Sequence, residues 1–267
     1  MAKHPPIRAG IGGWTFEPWR GGVFYPEKWP QKRELEYAAS KLTAIEVNGT
    51  YYSGFKPDTF TKWRDETPDG FVFALKASRY CTNRKVLAEA GPSIEKFVDQ
   101  GITELGDKLG PILWQFMATK KFDPGDVAAF LKLLPAERDG VGLRHAVQVR
   151  HESFAVPEFV AMCRAANVAI VYARSDDYPA IGDVTADFVY ARYETAVADE
   201  PTGYADVDLD GIAATARTWA TGGEPAGLPY VTQDAPKAPR DTFLFFISGA
   251  KERNPAAAQA LIARLGE

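Results

Sequence analysis

Residues 71–116 read FVFALKASRYCTNRKVLAEAGPSIEKFVDQGITELGDKLGPILWQF, and this stretch decides the fold. It opens with a short apolar run at Phe71–Leu75 and closes with another at Pro111–Phe116. Between them, apolar residues at helical spacing predict a helix over Ser93–Leu105, with Ser93 as its N-cap. Two strands that are joined through a helix are typical of a parallel βαβ unit.

The same alternation of apolar runs and amphipathic segments continues in both directions along the chain. Strands are predicted at Ile7–Gly12, Thr43–Val47, Phe71–Leu75, Pro111–Phe116, Ala146–Val149, Ala169–Tyr172, Phe188–Arg192 and Thr242–Ile247. Helices are predicted near Lys32–Ser40, Asp58–Glu66, Ser93–Leu105 and Gly125–Leu134, from Pro157 onward, and near Gly211–Ala220 and Asn254–Arg264. This repeat predicts a single α/β domain over residues 1–267, a (β/α)₈ TIM-like barrel of parallel strands. A doubly wound open sheet is the alternative.

Three segments between the predicted strands carry no helical pattern. Gly13–Pro30 follows the first strand and is rich in aromatic residues, including Trp14, and it also contains Arg20. This loop has two interpretations: it stacks on a ligand ring or closes over the site, or it plugs one end of the barrel. Tyr178–Thr185 is too short and irregular for a helix, and Gly222–Arg240 is predicted to be a long loop before the last strand.

The composition excludes several classes of protein. The 31 basic and 35 acidic side chains give a net charge of −4, which argues against a general nucleic-acid binder. Two cysteines and three histidines are too few for a disulfide framework or a histidine-rich metal site, so neither a metal nor a cofactor is expected. No apolar stretch approaches about 18 residues and the start lacks an apolar signal segment, so we expect a cytoplasmic protein without membrane contact.

Polar side chains recur at the ends of the predicted strands. In a barrel, alternate side chains face the interior, and catalytic groups lie at the carboxyl ends of the strands. In the second strand the apolar Ile45 and Val47 face outward, so Glu46 and Asn48 face inward. The same counting in the other strands directs Lys76, Gln148, Arg150 and Arg192 inward at the carboxyl ends of the strands, which form one mouth of the barrel. Gln115 in the fourth strand is added to them, although the pattern of that strand does not fix which face it lies on.

These residue types predict an anion-binding pocket with acid–base chemistry. Arginine side chains suit phosphate or carboxylate, and a partly desolvated lysine suits acid–base or Schiff-base chemistry. The predicted catalytic residues are Glu46, Lys76 and His151, and the predicted substrate-binding residues are Trp14, Arg20, Asn48, Tyr52, Gln115, Gln148, Arg150 and Arg192. The expected ligand is a small phosphorylated or carboxylated, sugar-like molecule. As alternatives, Glu46 and Lys76 form a structural ion pair, and His151 caps a backbone group.

Several motifs of the chain occur in an order that is found in a known family. They are Ile11–Trp14 with Trp19–Gly21 and Phe24–Pro26, Ile45–Asn48 with Tyr51 and Tyr52, Phe73–Tyr80, Gly110–Phe116, Ala146–His151 and Thr185–Arg192. In this order they resemble the YecE-like family, also called domain of unknown function 72. The resemblance implies a TIM-like barrel and supplies no reaction.

The chain departs from the family pattern at the predicted mouth. Asn83 stands where the family has a histidine, Gln148 where it has a glutamate, Tyr193–Glu194 where it has His-Gly, and Phe246–Gly249 where it has Phe-Asn-Asn. The departures indicate either a different substrate or a catalytically silent barrel that binds a ligand or a protein. A metal-assisted phosphodiesterase on nucleic acid is the weakest alternative, because it rests on fold analogy alone.

Overall fold

Parallel strands close into a barrel in the computed structural model, which describes residues 6–266. The barrel strands are β1 Ile7–Gly12, β2 Ala44–Val47, β3 Val72–Lys76, β4 Leu109–Gln115, β5 His145–Gln148, β6 in two pieces at Ala169–Ile170 and Tyr172–Arg174, β7 Phe188–Tyr193 and β8 Asp241–Phe246. The two ends of the predicted domain, residues 1–5 and Glu267, lie outside the described residues.

The strand order shows that the sheet returns to its starting strand. Neighbours pair in the order β6, β5, β4, β3, β2, β1, β8, β7 and again β6. Only Val171 separates the two pieces of β6, and its N–H donates to the carbonyl of Val147 at 3.0 Å. The prediction of a TIM-like barrel is therefore confirmed, and the alternative of an open sheet is wrong.

Helices surround the barrel, most of them between consecutive strands. They are α1 Glu34–Lys41, α2 Gly49–Tyr52, α3 Pro57–Asp65, α4 Arg79–Thr82, α5 Gly91–Val98, α6 Pro124–Leu133, α7 Pro157–Ala165, α8 Asp206–Ala220 and α9 Asn254–Leu265. The segments 175–187 and 222–240 contain neither helix nor strand, as the sequence predicted. None of the described helices is long and apolar enough to cross a membrane.

The helix predicted over Ser93–Leu105 has different ends in the structure. It begins at Gly91, with a proline in its first turn, so Ser93 lies inside the helix and is not its N-cap. It ends at Val98 because Gly101 adopts a left-handed φ of 102°. The residues that follow, Ile102–Lys108, form 3₁₀ turns that are kinked at Gly106, where φ is 54° and ψ is −129°. Helical periodicity continued across this break, and for that reason the sequence did not reveal it.

Alternation along the strands divides the buried side chains into two layers. The outer layer packs against the helices and contains Ile45, Val47, Phe73, Leu75, Trp114, Val147, Val189, Ala191, Leu244 and Phe246. The inner layer fills the barrel and contains Ala44, Val72, Ala74, Leu113, Ala146, Ala169, Val171, Phe188, Tyr190, Phe243, Phe245 and Ile247. The predicted parity of the second, third, fifth and seventh strands agrees with this division, so their polar end residues follow the inner face.

Candidate functional site

A buried carboxylate, Glu46, lies at the centre of the polar residues at the barrel mouth. Its Oε2 accepts hydrogen bonds from the Tyr190 hydroxyl at 2.7 Å and from Arg192 Nε at 3.1 Å, and its Oε1 accepts from Arg192 Nη2 at 3.2 Å. Burial, followed by the charge of Glu46, raises the pKa of Tyr190 well above its ordinary value, so this hydroxyl stays protonated and donates. The ion-pair partner of Glu46 is thus Arg192 and not Lys76.

The same arginine holds a second carboxylate and an amide. Arg192 Nη1 donates to Glu194 Oε1 at 2.5 Å and to Gln148 Oε1 at 2.6 Å. Gln148 Nε2 donates to Glu194 Oε1 at 3.2 Å, and Gln115 Nε2 donates to Gln148 Oε1 at 2.7 Å. Burial opposes the charge on Arg192, but Glu46 and Glu194 outweigh it and raise its pKa. The structure therefore places Gln115 beside Gln148, in the same hydrogen-bonded network as Arg192.

Lys76, the last residue of β3, is nine-tenths buried. Within residues 6–266, no hydrogen-bond acceptor and no carboxylate lies within bonding distance of its Nζ. The amine instead lies 4.3 Å from the centre of the Tyr51 ring. Burial lowers the pKa of Lys76 to about 8, the charges of Arg192 and Arg150 lower it too, and those of Glu46 and Glu194 oppose the shift.

Arg150 follows β5 and is the second cation at this mouth that has no carboxylate partner among the described residues. Its guanidinium lies 4.2 Å from the centre of the Tyr178 ring. Its Nε is buried without a hydrogen-bond partner. Burial lowers the pKa of Arg150, and the charge of Arg192 acts in the same direction. Lys76 and Arg150 therefore form cation–π contacts with tyrosine rings and no ion pairs with carboxylates of the described residues.

We refer to these residues together as the mouth group. It consists of Glu46, Lys76, Gln115, Gln148, Arg150, Arg192 and Glu194. They come from the carboxyl ends of β2, β3, β4, β5 and β7 or the residues just beyond, where the active sites of TIM barrels are built. The group contains three cations and two carboxylates, and both carboxylates bind the same arginine.

Glu194 is a member of the mouth group that the sequence named only as a departure from the family pattern and not as a site residue. The predicted seventh strand ended at Arg192, whereas β7 extends to Tyr193. The alternation that places Tyr190 and Arg192 inward continues to Glu194. Continuing the alternation two residues past Arg192 would have predicted it.

Asn48 and Tyr52, both predicted to bind substrate, have different positions at the rim. Asn48 follows β2, and its Nδ2 lies 3.5 Å from the carbonyl of Glu46. Tyr52 belongs to the one-turn helix α2, and its side chain is 67% exposed. The neighbouring Tyr51 is the tyrosine that covers Lys76, and Asn83 Nδ2 donates to its hydroxyl at 2.9 Å.

The aromatic loop after β1 packs into the outer layer. Trp14 packs its ring edge-on against Trp63 of α3, at 5.2 Å, and against Phe73 of β3, at 6.4 Å. Arg20 forms a bidentate ion pair with Glu34 at the start of α1, with Nε to Oε1 at 2.6 Å.

Other residues of the loop contact the turn after β8, where Trp19 Nε1 donates to the carbonyl of Lys251 at 3.0 Å, and the backbone of β2, where Gly13 N–H donates to the carbonyl of Glu46 at 2.8 Å. The side chains of Trp14 and Arg20 do not contact the side chains of the mouth group through the described contacts. These contacts give no support to a plug of the barrel interior, because none of the loop's aromatic side chains belongs to the inner layer.

His151 caps a backbone group, the alternative that the sequence left open. Its Nδ1 accepts the N–H of Ser153 at 3.2 Å and contacts the Ser153 hydroxyl at 3.0 Å. This contact begins the 3₁₀ turn Glu152–Phe154. The proton-transfer role of His151 stays a prediction.

Metal ligands are not clustered in residues 6–266, where no three His, Cys, Asp or Glu side chains are grouped closely enough to hold an ion. The weakest alternative, a metal-assisted phosphodiesterase, gains no support from the described residues.

Comparison with known proteins identifies the family and the fold. Residues 8–267 match the model of the family described as "Protein of unknown function DUF72". The UPF0759 protein YecE of Escherichia coli is 28% identical over 152 residues, which are 55% of this chain and 50% of that protein. The chain thus matches about half the length of this curated relative.

Two solved structures resemble the whole barrel. A DUF72 family protein from Thermotoga maritima superposes with a TM-score of 0.74 at 20% identity, covering 98% of this chain and 99% of that one. D-psicose 3-epimerase in the presence of D-fructose superposes with a TM-score of 0.55 at 14% identity, covering 98% and 100%. At these identities the structures show the fold alone. Because the family model matches nearly the entire sequence, the chain belongs to the DUF72 family.

Proposed function

We propose that this barrel binds a small phosphorylated or carboxylated, sugar-like molecule at the mouth group and moves a proton through Lys76. One observation carries the proposal: Lys76 and Arg150 lie at the mouth without a carboxylate partner in the described residues. Buried charges are normally paired, so a ligand anion would supply the missing partner. Arg192 is not available to bind a ligand anion in the same way, because Glu46 and Glu194 already form ion pairs with it.

The geometry supports Lys76 rather than Glu46 as the group that exchanges a proton with the ligand. Both oxygens of Glu46 already accept hydrogen bonds, and the side chain is fully buried. A general acid or base must reach the substrate within about 3 Å, or through one water. We therefore assign Glu46 the task of orienting Arg192. Lys76, with a pKa of about 8, is suited to proton transfer near neutral pH.

The sugar-like part of the proposal has a different origin from the anionic part. It comes from the barrel shared with D-psicose 3-epimerase, which is a likeness of fold. The phosphate or carboxylate part comes from this chain's own cations, since arginine binds both anions in a bidentate manner.

A catalytically silent binding barrel is the second candidate. One observation favours it: among the charged members of the mouth group, both carboxylates bind Arg192, so only Lys76 remains to exchange a proton. This barrel would bind the same anions and turn none of them over.

A thermal-shift screen with inorganic phosphate, sugar phosphates and small carboxylates tests the proposal. A ligand at about 100 times its Kd stabilises by roughly 2.7 kcal/mol, or roughly 5–10 °C for a protein of this size. We expect a shift that Arg150→Met abolishes. Arg33→Met, which removes an exposed arginine paired with Glu36, should preserve the shift and is the matched control. Equal shifts in all three proteins would contradict the proposed site.

Solvent deuterium exchange separates the two candidates. The ligand found in the screen is incubated with the protein in D₂O, and its carbon-bound protons are followed by NMR. Exchange that requires Lys76 supports the enzyme, because the amine then transfers the proton. Binding without exchange supports the silent barrel.

A further inference from the structure

Lys76 differs from two other partly buried lysines, Lys108 and Lys120, in what its amine contacts. Lys108 Nζ donates to the carbonyls of Arg64 and Thr67, both at 2.6 Å. Lys120 Nζ forms an ion pair with Asp126. Lys76 Nζ has neither kind of partner in the described residues, and it faces the Tyr51 ring. An amine that is desolvated and unbonded keeps its lone pair available for reaction with an electrophile.

The charges around Lys76 favour the same chemistry. A lysine becomes nucleophilic when it is desolvated or lies beside another cation. Both conditions hold here: burial, Arg192 and Arg150 together lower the pKa of Lys76 to about 8. At pH 7 about a tenth of the amine is then neutral, against less than about a thousandth for an ordinary lysine.

We propose that Lys76 Nζ forms an imine with small carbonyl compounds that carry a carboxylate or phosphate, and that Arg150 binds this anion. The inference rests on the proposed function and narrows its substrate class to 2-oxo acids and phosphorylated ketones or aldehydes. The anion next to the carbonyl explains why an unpaired arginine and an unpaired lysine lie at the same mouth.

The reaction balances with groups that the protein and the ligand supply. The neutral amine attacks the carbonyl carbon, so the N–C bond forms while the C–O π bond breaks. The nitrogen lone pair then forms the N–C π bond as the C–O σ bond breaks, and the oxygen leaves as water. That water carries two of the three protons of the original lysine ammonium, one of which passes through solvent water. The product is a protonated imine with one positive charge, the same charge as the original ammonium.

Lys251 offers a matched control for desolvation. Its Nζ also lies over an aromatic ring, 4.4 Å from the centre of Phe16, and burial lowers its pKa as well. Lys251 lies in the 3₁₀ turn after β8 and is not part of the mouth group. If burial beside an aromatic ring were sufficient, Lys251 would form the imine too.

Borohydride trapping tests the inference on the wild-type protein. The protein is incubated with pyruvate or dihydroxyacetone phosphate and sodium borohydride is added, because hydride reduces an imine to a stable secondary amine. Peptide mapping by mass spectrometry then locates the adduct. We expect modification at Lys76 above every other lysine, little reaction with acetone, and a yield at least about tenfold lower in Arg150→Met, since a charge-assisted hydrogen bond is lost. Lys251→Met should trap as the wild type does.

Two results would overturn the inference. Adducts spread equally over Lys76, Lys251 and surface lysines would show ordinary amine reactivity. A Lys76 adduct that forms equally well with acetone, which has no anionic group, would show that Arg150 does not bind the substrate. Thermal shifts measured without borohydride keep the two proposals apart. A phosphate shift that depends on Arg150, with no adduct at Lys76, overturns the imine and leaves the proposed function standing. Neither shift nor adduct overturns both.

Discussion

The buried pair of Glu46 and Arg192 is the residue-scale feature on which the mouth group depends. Glu46→Gln keeps the shape of the side chain but removes one of the two charges that compensate Arg192. Breaking a buried pair costs about 3–5 kcal/mol, so we expect the free energy of unfolding to fall by about 3 kcal/mol. Urea denaturation measures this loss. Glu66→Gln breaks a surface pair with Lys62 and should cost less than about 1 kcal/mol; equal losses would contradict the assignment.

The lowered pKa of Lys76 predicts a pH-dependent stability. The unfolded lysine titrates near 10.5 and the folded one near 8, so between these values the unfolded state binds more protons and stability rises with pH. Lys76→Met lacks this dependence. Its stability relative to the wild type should therefore decrease by about 2 to 3 kcal/mol between pH 7 and pH 10. Urea denaturation of both proteins at the two pH values checks this, and a constant difference would show that Lys76 is not desolvated.

The direction of a side chain could be predicted within a strand, where side chains alternate, but not beyond the end of the strand. Alternation alone directed Glu46, Lys76 and Arg192 to one mouth, because side chains on a strand have a strict period of two. The period could not select Tyr51 over Tyr52, because the chain turns into a one-turn helix directly after Asn48. The hydrogen bonds of the mouth group were also not predictable, since they join strands that are far apart in sequence.

At the scale of elements, Gly101 sets the end of α5 and the start of the following 3₁₀ helix. A Cβ at this position would meet Pro57 at 2.7 Å, and φ is 102°. Gly101→Ala should therefore lower the free energy of unfolding by more than about 1 kcal/mol, because both strain and overlap oppose the side chain. Gly140→Ala is the control: φ is 75° but nothing lies within 4 Å. The smaller loss expected there isolates the overlap, and equal losses in denaturation experiments would contradict it.

Strand and helix positions were predicted well because each βα repeat gives two local signals, a short apolar run and an amphipathic segment. The ends were less certain where a local signal continued past a break. Apolar spacing runs from α5 into the 3₁₀ helix Ile102–Lys108, and only the conformation of Gly101 separates them. Gly101 also lies so close to Pro57 that a Cβ would overlap it, and this proximity joins distant parts of the chain.

At the scale of the whole molecule, the barrel is predictable from the order of the repeats, but the interruption of β6 is not. Parallel strands with helical crossovers have one preferred handedness, so eight repeats lead to closure. The sector between β6 and β7 has no helix, and β6 itself is interrupted at Val171. The long segment 222–240 reaches this sector, where Gly182 N–H donates to the carbonyl of Pro229 at 2.8 Å.

The carboxylate of Asp183 binds backbone amides of this segment, so we expect Asp183 to control the stability of the sector between β6 and β7. It is almost fully buried, and its carboxylate accepts the N–H groups of Val231 at 2.6 Å and Thr232 at 2.8 Å. Asp183→Ala removes these charge-assisted bonds and should cost about 1.5–3 kcal/mol. Hydrogen exchange should accelerate at both amides and also in β6, because the sector opens as a unit. Asp234→Ala removes an exposed carboxylate of the same segment and should leave exchange in β6 unchanged. If exchange in β6 is also unchanged in Asp183→Ala, the segment only covers the surface, and barrel closure does not depend on it.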